Sequence, residues 1–534
     1  MASLIALIGA QGFHRADLFA QVFDERFEDW PIDLKIPGTL VIADEDRLTR
    51  DHLRDLLGDT HDQSLQIVCD TPLPSLAIGM LEEAFASVSS SSENDSSDPS
   101  SADVIAWHVH DVEEADRTKR LARIEPRLRR HLQSGKTVMV LGRDRKMVSH
   151  LFITAVHNAH PSIDTGINLL PDCVLETDLQ QVNARRAQLL SVLASHPRCV
   201  AVCIEKNTSL VLEGRKIRVV GDGQAAFMVA ANDHQAIHWQ VLSPQASRKQ
   251  SPSEWMIDLT QWRRDAIDRT LPPFPPNEPQ VPLVEEGTLM IVGGGGLPDG
   301  LMETFIESAG GFEHSRLVYI PCSEDETVPE NSGMIPTWRK MGVQHVSLIH
   351  TKDRMTAHQD EEFLKPLREA TGIWFGGGRQ WNFSDSYYGT TAHRLMKDVL
   401  RRGGVVGGSS AGASIQARYL ARATPIENFK IMAAGYERGG LGFIDGVAID
   451  QHFTQRRRHA DMTQLVDRYP QLLGIGIDES TAIVVKKSIA SVRGNGHVYF
   501  YDRQQKSALD RPDYIRLKDG QAFELSQRKI LDTP

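Results

Sequence analysis

Gly403-Gly-Val-Val-Gly-Gly-Ser-Ser-Ala-Gly-Ala413 is the stretch on which the fold of this chain turns. A short apolar run enters a small-residue turn and continues into Ser414-Ile-Gln-Ala-Arg-Tyr-Leu-Ala421, whose pattern predicts a helix. Inside it, Gly408-Ser-Ser-Ala-Gly412 has the form G-x-S-x-G. Glycines on either side of a serine permit the sharp strand-to-helix turn that lifts its hydroxyl to the end of a sheet. A helix starting there adds backbone N–H groups for a developing oxyanion. Ser410 is therefore the candidate nucleophile. Any tight strand-to-helix turn also wants small residues, so the assignment depends on partners elsewhere in the chain.

Length and charge bound the answer. A chain of 534 residues is long for one core, which predicts two or more domains. A net charge of −11, with no basic cluster interleaved with aromatics, argues against a nucleic-acid surface. Cys69, Cys173, Cys199, Cys203 and Cys322 are scattered and form no metal-ligand spacing, a usage that suits a reducing cytoplasm. The apolar start Met1-Ala-Ser-Leu-Ile-Ala-Leu-Ile-Gly9 lacks a basic flank and reads as a buried first strand, with no membrane association expected.

Two segments punctuate the chain. Ser87–Ser101 is rich in serine and reads as a surface loop. Leu271-Pro-Pro-Phe-Pro-Pro-Asn-Glu-Pro-Gln-Val-Pro282 reads as a semi-rigid extended linker. The expected division is a first domain over 1–270, a linker over 271–284 and a second domain over 285–534.

After the linker, short apolar runs alternate with amphipathic stretches. Strands are expected at 288–292, 316–320, 345–349 and 372–375. Helices are expected over 300–309, before Met341 and over 361–369. That rhythm predicts an α/β fold with a doubly wound, mostly parallel sheet, and ligands at the carboxyl ends of its strands. The run Gly293-Gly-Gly-Gly296 fails the G-x-G-x-x-G register and no acidic residue ends the next strand, so a tight turn near the site is expected, and no nicotinamide cofactor.

Two polar clusters follow strands downstream. Gly446-Val-Ala-Ile449 delivers Asp450-Gln451-His452-Phe453, and Leu473-Gly-Ile-Gly-Ile477 delivers Asp478-Glu479-Ser480-Thr481. A serine needs a base, which His452 supplies, and the imidazole needs a carboxylate to hold its tautomer, for which Glu479 and Asp478 both stand close by. The order Ser, His, acid differs from the Ser, acid, His order of α/β-hydrolases.

These motifs together closely resemble the serine peptidase family that contains cyanophycinase and dipeptidase E. The resemblance covers about 286–503 and rests on Gly408–Ala413, on Asp450-Gln-His-Phe453 with Arg456 and Arg458, and on Gly474-Ile-Gly-Ile-Asp-Glu-Ser-Thr-Ala482. It implies a class I glutamine amidotransferase-like (flavodoxin-like) α/β fold without metal or cofactor. It also implies Ser410 as nucleophile, His452 as base and Glu479 as its orienting acid. Phe375-Gly-Gly-Gly-Arg-Gln380 resembles the family's Gly-Gly-x-Gln loop, implying an oxyanion hole from Gly377 and Ala411 with Gln380 facing substrate. Asp450 and Gln451 are candidate substrate contacts, with a polar tie at the strand end as the other reading of Asp450. Arg456 and Arg458 are either a solvated helix start or a fork for acidic substrate groups.

The implied substrate is a small peptide or isopeptide, β-aspartyl-arginine included, with a homodimer as the candidate assembly. Where the family reads Arg-Gly-Arg this chain has Arg456-Arg457-Arg458 followed by Asp461, which puts cyanophycin itself in question. An amidase or acyl-transfer enzyme on the same residues, or a binding scaffold that has lost catalysis, are the competing functions.

The first half looks like a worn copy of the second. Gly135-Lys-Thr-Val-Met-Val-Leu-Gly142 parallels Gly403–Ser410, and Cys199–Glu213 parallels Leu472–Lys486. Lys206 then falls opposite Glu479, and the turn Leu141-Gly142-Arg143 has no serine. A catalytically inactive domain is expected. His108 and His110 of Trp107-His-Val-His110 could face one side of a strand as metal ligands, but with no further ligand cluster nearby a structural role is expected for them.

Overall fold

The computed structural model describes residues 27, 30–69, 73, 75–93, 101–110, 112–157, 160–244, 251–426, 430–504 and 512–531. The expected first strand, Met1–Gly9, lies outside them. Close packing divides the chain between Phe274 and Pro275, inside the proline-rich stretch. One unit is Asp33–Phe274 together with Thr424–Tyr436, and the other comprises the remainder. The short excursion 424–436 belongs to the first unit because Tyr436 is gripped there. Its ring lies 4.2 Å beneath the Arg264 guanidinium, and its hydroxyl accepts from Arg215 at 2.6 Å.

The first unit contains strands β1 (Thr39–Ile42), β2 (Ser64–Cys69), β3 (Ser87–Ser91), β4 (Val104–His108), β5 (Thr137–Leu141), β6 (Ser149–His157), β7 (His160–Thr165), β8 (Leu170–Leu179), β9 (Val200–Glu205), β10 (Thr208–Glu213), β11 (Lys216–Gly221), β12 (Ala225–Val229), β13 (His238–Leu242) and β14 (Met256–Asp258). They form a sheet ordered β14-β11-β10-β1-β5-β4-β2-β3 and a second ordered β13-β12-β9-β8-β6-β7. Strands β1, β5, β4, β2 and β3 are mutually parallel. Both faces of this sheet are buried. Leu40, Ile42, Trp107 and Val140 share one core with Leu121, Ile124 and Leu128 of the helix Glu114–Gln133. The alternate residues Val41, Ala106 and Met139 pack with Leu53, Leu56 and Leu81 on the other side. Burial on both faces is why these strands read as unbroken apolar runs. The serine-rich segment expected as a loop instead opens with β3, a parallel edge strand against β2. Its side chains are largely exposed, so polar residues meet no desolvation cost there.

The second unit contains β15 (Val284–Val292), β16 (Arg316–Cys322), β17 (His345–Leu348), β18 (Gly372–Gly378), β19 (Val405–Ser409), β20 (Ala417–Tyr419), β21 (Ile444–Asp450), β22 (Leu473–Ile477), β23 (Thr481–Lys487), β24 (Ile489–Gly494), β25 (His497–Asp502), β26 (Ile515–Lys518), β27 (Ala522–Glu524) and β28 (Lys529–Leu531). Its sheets are ordered β17-β16-β18-β19-β15-β23-β24-β27-β28 and β20-β21-β22-β25-β26. Helices occur at Leu301–Ser308, Ile335–Lys340 and Glu361–Glu369, where the apolar spacing calls for them.

The helix expected over 414–421 is not formed. A four-residue helix, Ala411–Ser414, is followed by β20, because Ala417 and Tyr419 are fully buried and pair with β21 while Arg418 between them is half-buried. A period of two, not 3.6, satisfies that burial.

The central strands of the two units share order and register. Leu40 stands between Val138 and Leu212 in the first, and Leu289 between Val406 and Val485 in the second. Likewise Ile105 pairs with Val138, and Ile373 with Val406. No helix among the described residues is long and apolar enough to cross a membrane.

Candidate active site

Strand β19 runs out at Ser410, which holds φ 58° and ψ −113°. A side-chain-bearing residue in that conformation costs on the order of 1–3 kcal/mol and needs over-determining neighbours. They are present. Ser410 N–H donates to Val292 O at 3.0 Å. A Cβ on Gly408 would stand 2.3 Å from Gly412 O, and one on Gly412 would stand 2.2 Å from Phe375 O. Both glycines of the elbow are thus required by close backbone approach.

His452 lies just past β21 at φ 49°, with its N–H donating to Gly293 O at 2.8 Å. Its Nε2 is 2.9 Å from Ser410 Oγ and its Nδ1 is 2.6 Å from Glu479 Oε1. A carboxylate at Nδ1 holds the proton on that nitrogen, so the Nε2 lone pair faces the serine hydroxyl. Burial lowers the His452 pKa below the usual imidazole value. The charges of Arg456 and Arg458 push the same way, and Glu479 opposes them. The imidazole is accordingly neutral near pH 7.

Asp478, the rival acid, is turned away. Its carboxylate accepts from Thr454 N at 2.9 Å and His497 N at 3.1 Å and lies 3.4 Å from the Tyr499 hydroxyl, an anchor for the turn. Glu479 is the carboxylate on the imidazole.

The glycine run fills the role of a tight turn beside the site. At Gly294, φ 103°, an added Cβ would stand 2.3 Å from His452 Cε1, and at Gly295, φ 69°, 2.6 Å from the Glu479 carboxylate. Sequence reasoning did not find this seating function, although four successive glycines after a strand were the signal.

Gly377, exposed on β18, lies alongside the serine, with an ideal Cβ position 3.5 Å from Ser410 Cβ. Ala411 is fully buried and directly follows Ser410. Four residues expected as substrate contacts are buried and bonded internally. Gln380, 1 % exposed, donates from Nε2 to the Ala421 and Arg422 carbonyls, each at 2.7 Å. Asp450, 0 % exposed, accepts from Arg422 Nε at 2.8 Å and from Arg458 Nη1 at 2.7 Å. Arg458 also donates to the Gln451 carbonyl and to Gln451 Oε1, so Arg458 and Gln451 are committed to each other. Asp450 is the polar tie at its strand end. Arg456 alone of this group is exposed.

Two residues extend the cluster, the buried Arg422 and the partly exposed Asp461. Arg422 bridges Asp450 to Asp461, its Nη2 reaching Asp461 Oδ2 at 2.6 Å. The departure at Asp461 is therefore matched by a guanidinium, and two cations balance two anions.

Residues 289–493 match the model of Peptidase family S51. The chain is 31% identical over 216 residues to a cyanophycinase of Synechococcus elongatus, covering 39% of this chain and 64% of that protein. To a cyanophycinase of Trichormus variabilis it is 26% identical over 251 residues, covering 43% and 82% respectively. Among solved structures it is similar to a peptidase from an acI-B1 Actinobacterium, with 22% identity and a TM-score of 0.33 over 45% of this chain and 97% of that one. The chain thus spans less than two thirds of the first of these curated relatives. The serine elbow and its two partner motifs all lie inside residues 289–493, the segment that matches Peptidase family S51.

Proposed function

We propose that the second unit is a serine-type peptidase acting through Ser410, His452 and Glu479. The observation that carries this reading is the continuous hydrogen-bonded line from Ser410 Oγ to His452 Nε2, 2.9 Å, and from His452 Nδ1 to Glu479 Oε1, 2.6 Å. In the first step Ser410 Oγ bonds to the substrate carbonyl carbon while His452 Nε2 takes the hydroxyl proton. Backbone N–H groups of Ala411 and Gly377 receive the oxyanion. The C–N bond then breaks, and His452 returns the proton to the leaving amine. Water repeats the sequence on the acyl-enzyme, restoring the serine. Glu479 fixes the tautomer and offsets the imidazolium charge.

The substrate in this reading is a small peptide or isopeptide with an acidic group, for which the exposed Arg456 is the candidate cation. The curated relatives are named cyanophycinases, which brings β-aspartyl-arginine linkages within the same proposal. We further infer that the first unit is an inactive duplicate. The shared strand order and register support this; counted on from the paired strands, Gly142 would correspond to Ser410 and Lys206 to Glu479.

Reaction with a fluorophosphonate probe tests the nucleophile: the parent should label and Ser410→Ala should not. Equal resistance of the two would overturn the acyl-enzyme. Release of dipeptide from cyanophycin, set against cleavage of isoaspartyl and aspartyl-X dipeptides, then assigns the substrate.

A further inference from the structure

At the carboxyl ends of β1 and β4 in the first unit, three side chains from distant parts of the chain converge. His108 Nε2 is 2.6 Å from Glu45 Oε2, and His110 Nε2 is 3.4 Å from Glu45 Oε1. All three ligand atoms lie within 4.8 Å of one another, and the two imidazole rings are 5.6 Å apart between centroids. A lone buried Glu–His hydrogen bond would tie two strand ends together and needs only His108, which is 2 % exposed. It does not account for His110, a second imidazole on the same side that directs the same nitrogen at the other oxygen of the same carboxylate.

The position of the cluster strengthens the case. By the register of the central strands, Leu40 corresponds to Leu289 and Ile105 to Ile373. Counting on from these pairs puts Glu45 at the place of Gly294, His108 at that of Gly376 and His110 at that of Gly378. The second unit keeps glycine at each of those positions, which leaves room for His452 at Gly294, for the Tyr319 hydroxyl at Gly376 and for Cys322 at Gly378. In the first unit all three carry metal-ligand side chains. They occupy the end of the parallel strands where α/β sheets bind ligands.

We infer that the first unit binds a divalent transition cation of the zinc type on Glu45, His108 and His110. Two imidazoles and one carboxylate are a three-ligand zinc set that leaves a fourth position for solvent or an exchangeable ligand. Ligand atoms held at about 2.0–2.2 Å from one ion stand roughly 3–4 Å apart, the scale on which these three donors are spaced. Entry of the ion displaces the proton shared between Glu45 and His108. The nearby positive charge of Arg145 is already engaged, by Asp178 at 2.7 Å and by Asp44 at 3.9 Å, which limits its repulsion of a cation. Soft thiolates are absent from the set, so borderline ions that favour imidazole are selected over Ca²⁺ or Mg²⁺.

The test uses the intact chain after dialysis against a chelator. Calorimetric titration with Zn²⁺ should show one strong site per chain, and Co²⁺ at the same stoichiometry should give visible d–d absorption from a four- or five-coordinate ion. His110→Ala and Glu45→Gln should each weaken that site by about 100-fold or more, as loss of a direct ligand demands. Ser410→Ala should bind the ion like the parent, so the result stands apart from the peptidase reading. Metal-free circular dichroism and melting identify any variant that misfolds. Glu45→Gln, which keeps shape and a carbonyl acceptor, decides if His110→Ala does. Absence of a stoichiometric site in the parent would overturn the inference, as would undiminished binding in the folded variants.

Discussion

A β-carbon placed on Gly294 would stand 2.3 Å from Cε1 of His452, inside any tolerable contact, and Gly294 itself holds φ 103°. The glycine is thus the seat of the imidazole. Gly294→Ala is expected to strain the turn and displace the ring. An error of about 1 Å at a catalytic group costs roughly 100-fold in rate. The fluorophosphonate labelling rate and kcat check this, with a melting curve to verify folding; an unchanged labelling rate would remove the seating role.

Glu479 and Asp478 separate by function under conservative substitution. Glu479→Gln leaves the shape but loses the charge that fixes the His452 tautomer, and acylation should fall by about 10²–10⁴-fold. Asp478→Asn should retain most acylation. It should instead lower stability by about 1–3 kcal/mol, because its carboxylate accepts two backbone N–H groups that a single amide oxygen serves less well. The reverse ranking in single-turnover acylation would reassign the third residue.

The pH profile follows from the direction of the His452 shift. Burial and the arginines lower its folded pKa, so the neutral, proton-accepting form persists below the ordinary imidazole value near 6.5. Activity should be present above that lowered pKa and lost as pH falls through it. Removing a positive charge favours the protonated ring, so Arg456→Ala should move the acid limb of kcat/KM to higher pH. A limb that stays put or moves down would show that Arg456 does not act on the imidazole.

The two outer arginines of the Arg456–Arg458 run should part company. Arg458 donates to Asp450, which is wholly buried, so Arg458→Ala leaves a buried carboxylate with one cation fewer and is expected to cost about 3–5 kcal/mol. Arg456→Ala, at an exposed position, should leave stability within about 0.5 kcal/mol and raise KM for substrates with a free carboxylate. Denaturant melts beside steady-state kinetics distinguish them, and a KM effect confined to Arg458→Ala would return Arg458 to the substrate.

The sequence alone determined where chemistry can sit. Ser410 and His452 stand out as candidates because a nucleophile elbow and its partners must follow strand ends, and strands buried on both faces announce themselves as apolar runs. The choice of Glu479 over Asp478 comes only from the resemblance of the motif. Local pattern also places the helices at 301–308 and 361–369, whose apolar faces repeat at helical spacing. It misled over 414–421, where fully buried pairing in β20 outweighed helical spacing, and over Ser87–Ser91, where an exposed edge accepts serine. Residue chemistry could not separate Arg458 from Arg456 or Asp450 from a substrate ligand. That depends on which side chains lose their water, and burial is set by elements far away in the chain.

The tertiary structure decided the convergences. Gly294 meets His452, Arg422 bridges Asp450 and Asp461, and Glu45 reaches His108 across 63 residues, with His110 beside it. Sequence spacing encodes neighbours only within a helix or along a strand. Parallel strands bring their carboxyl ends together whatever the length of the connections between them, so the groups gathered at that edge become visible only once strand order and register are known.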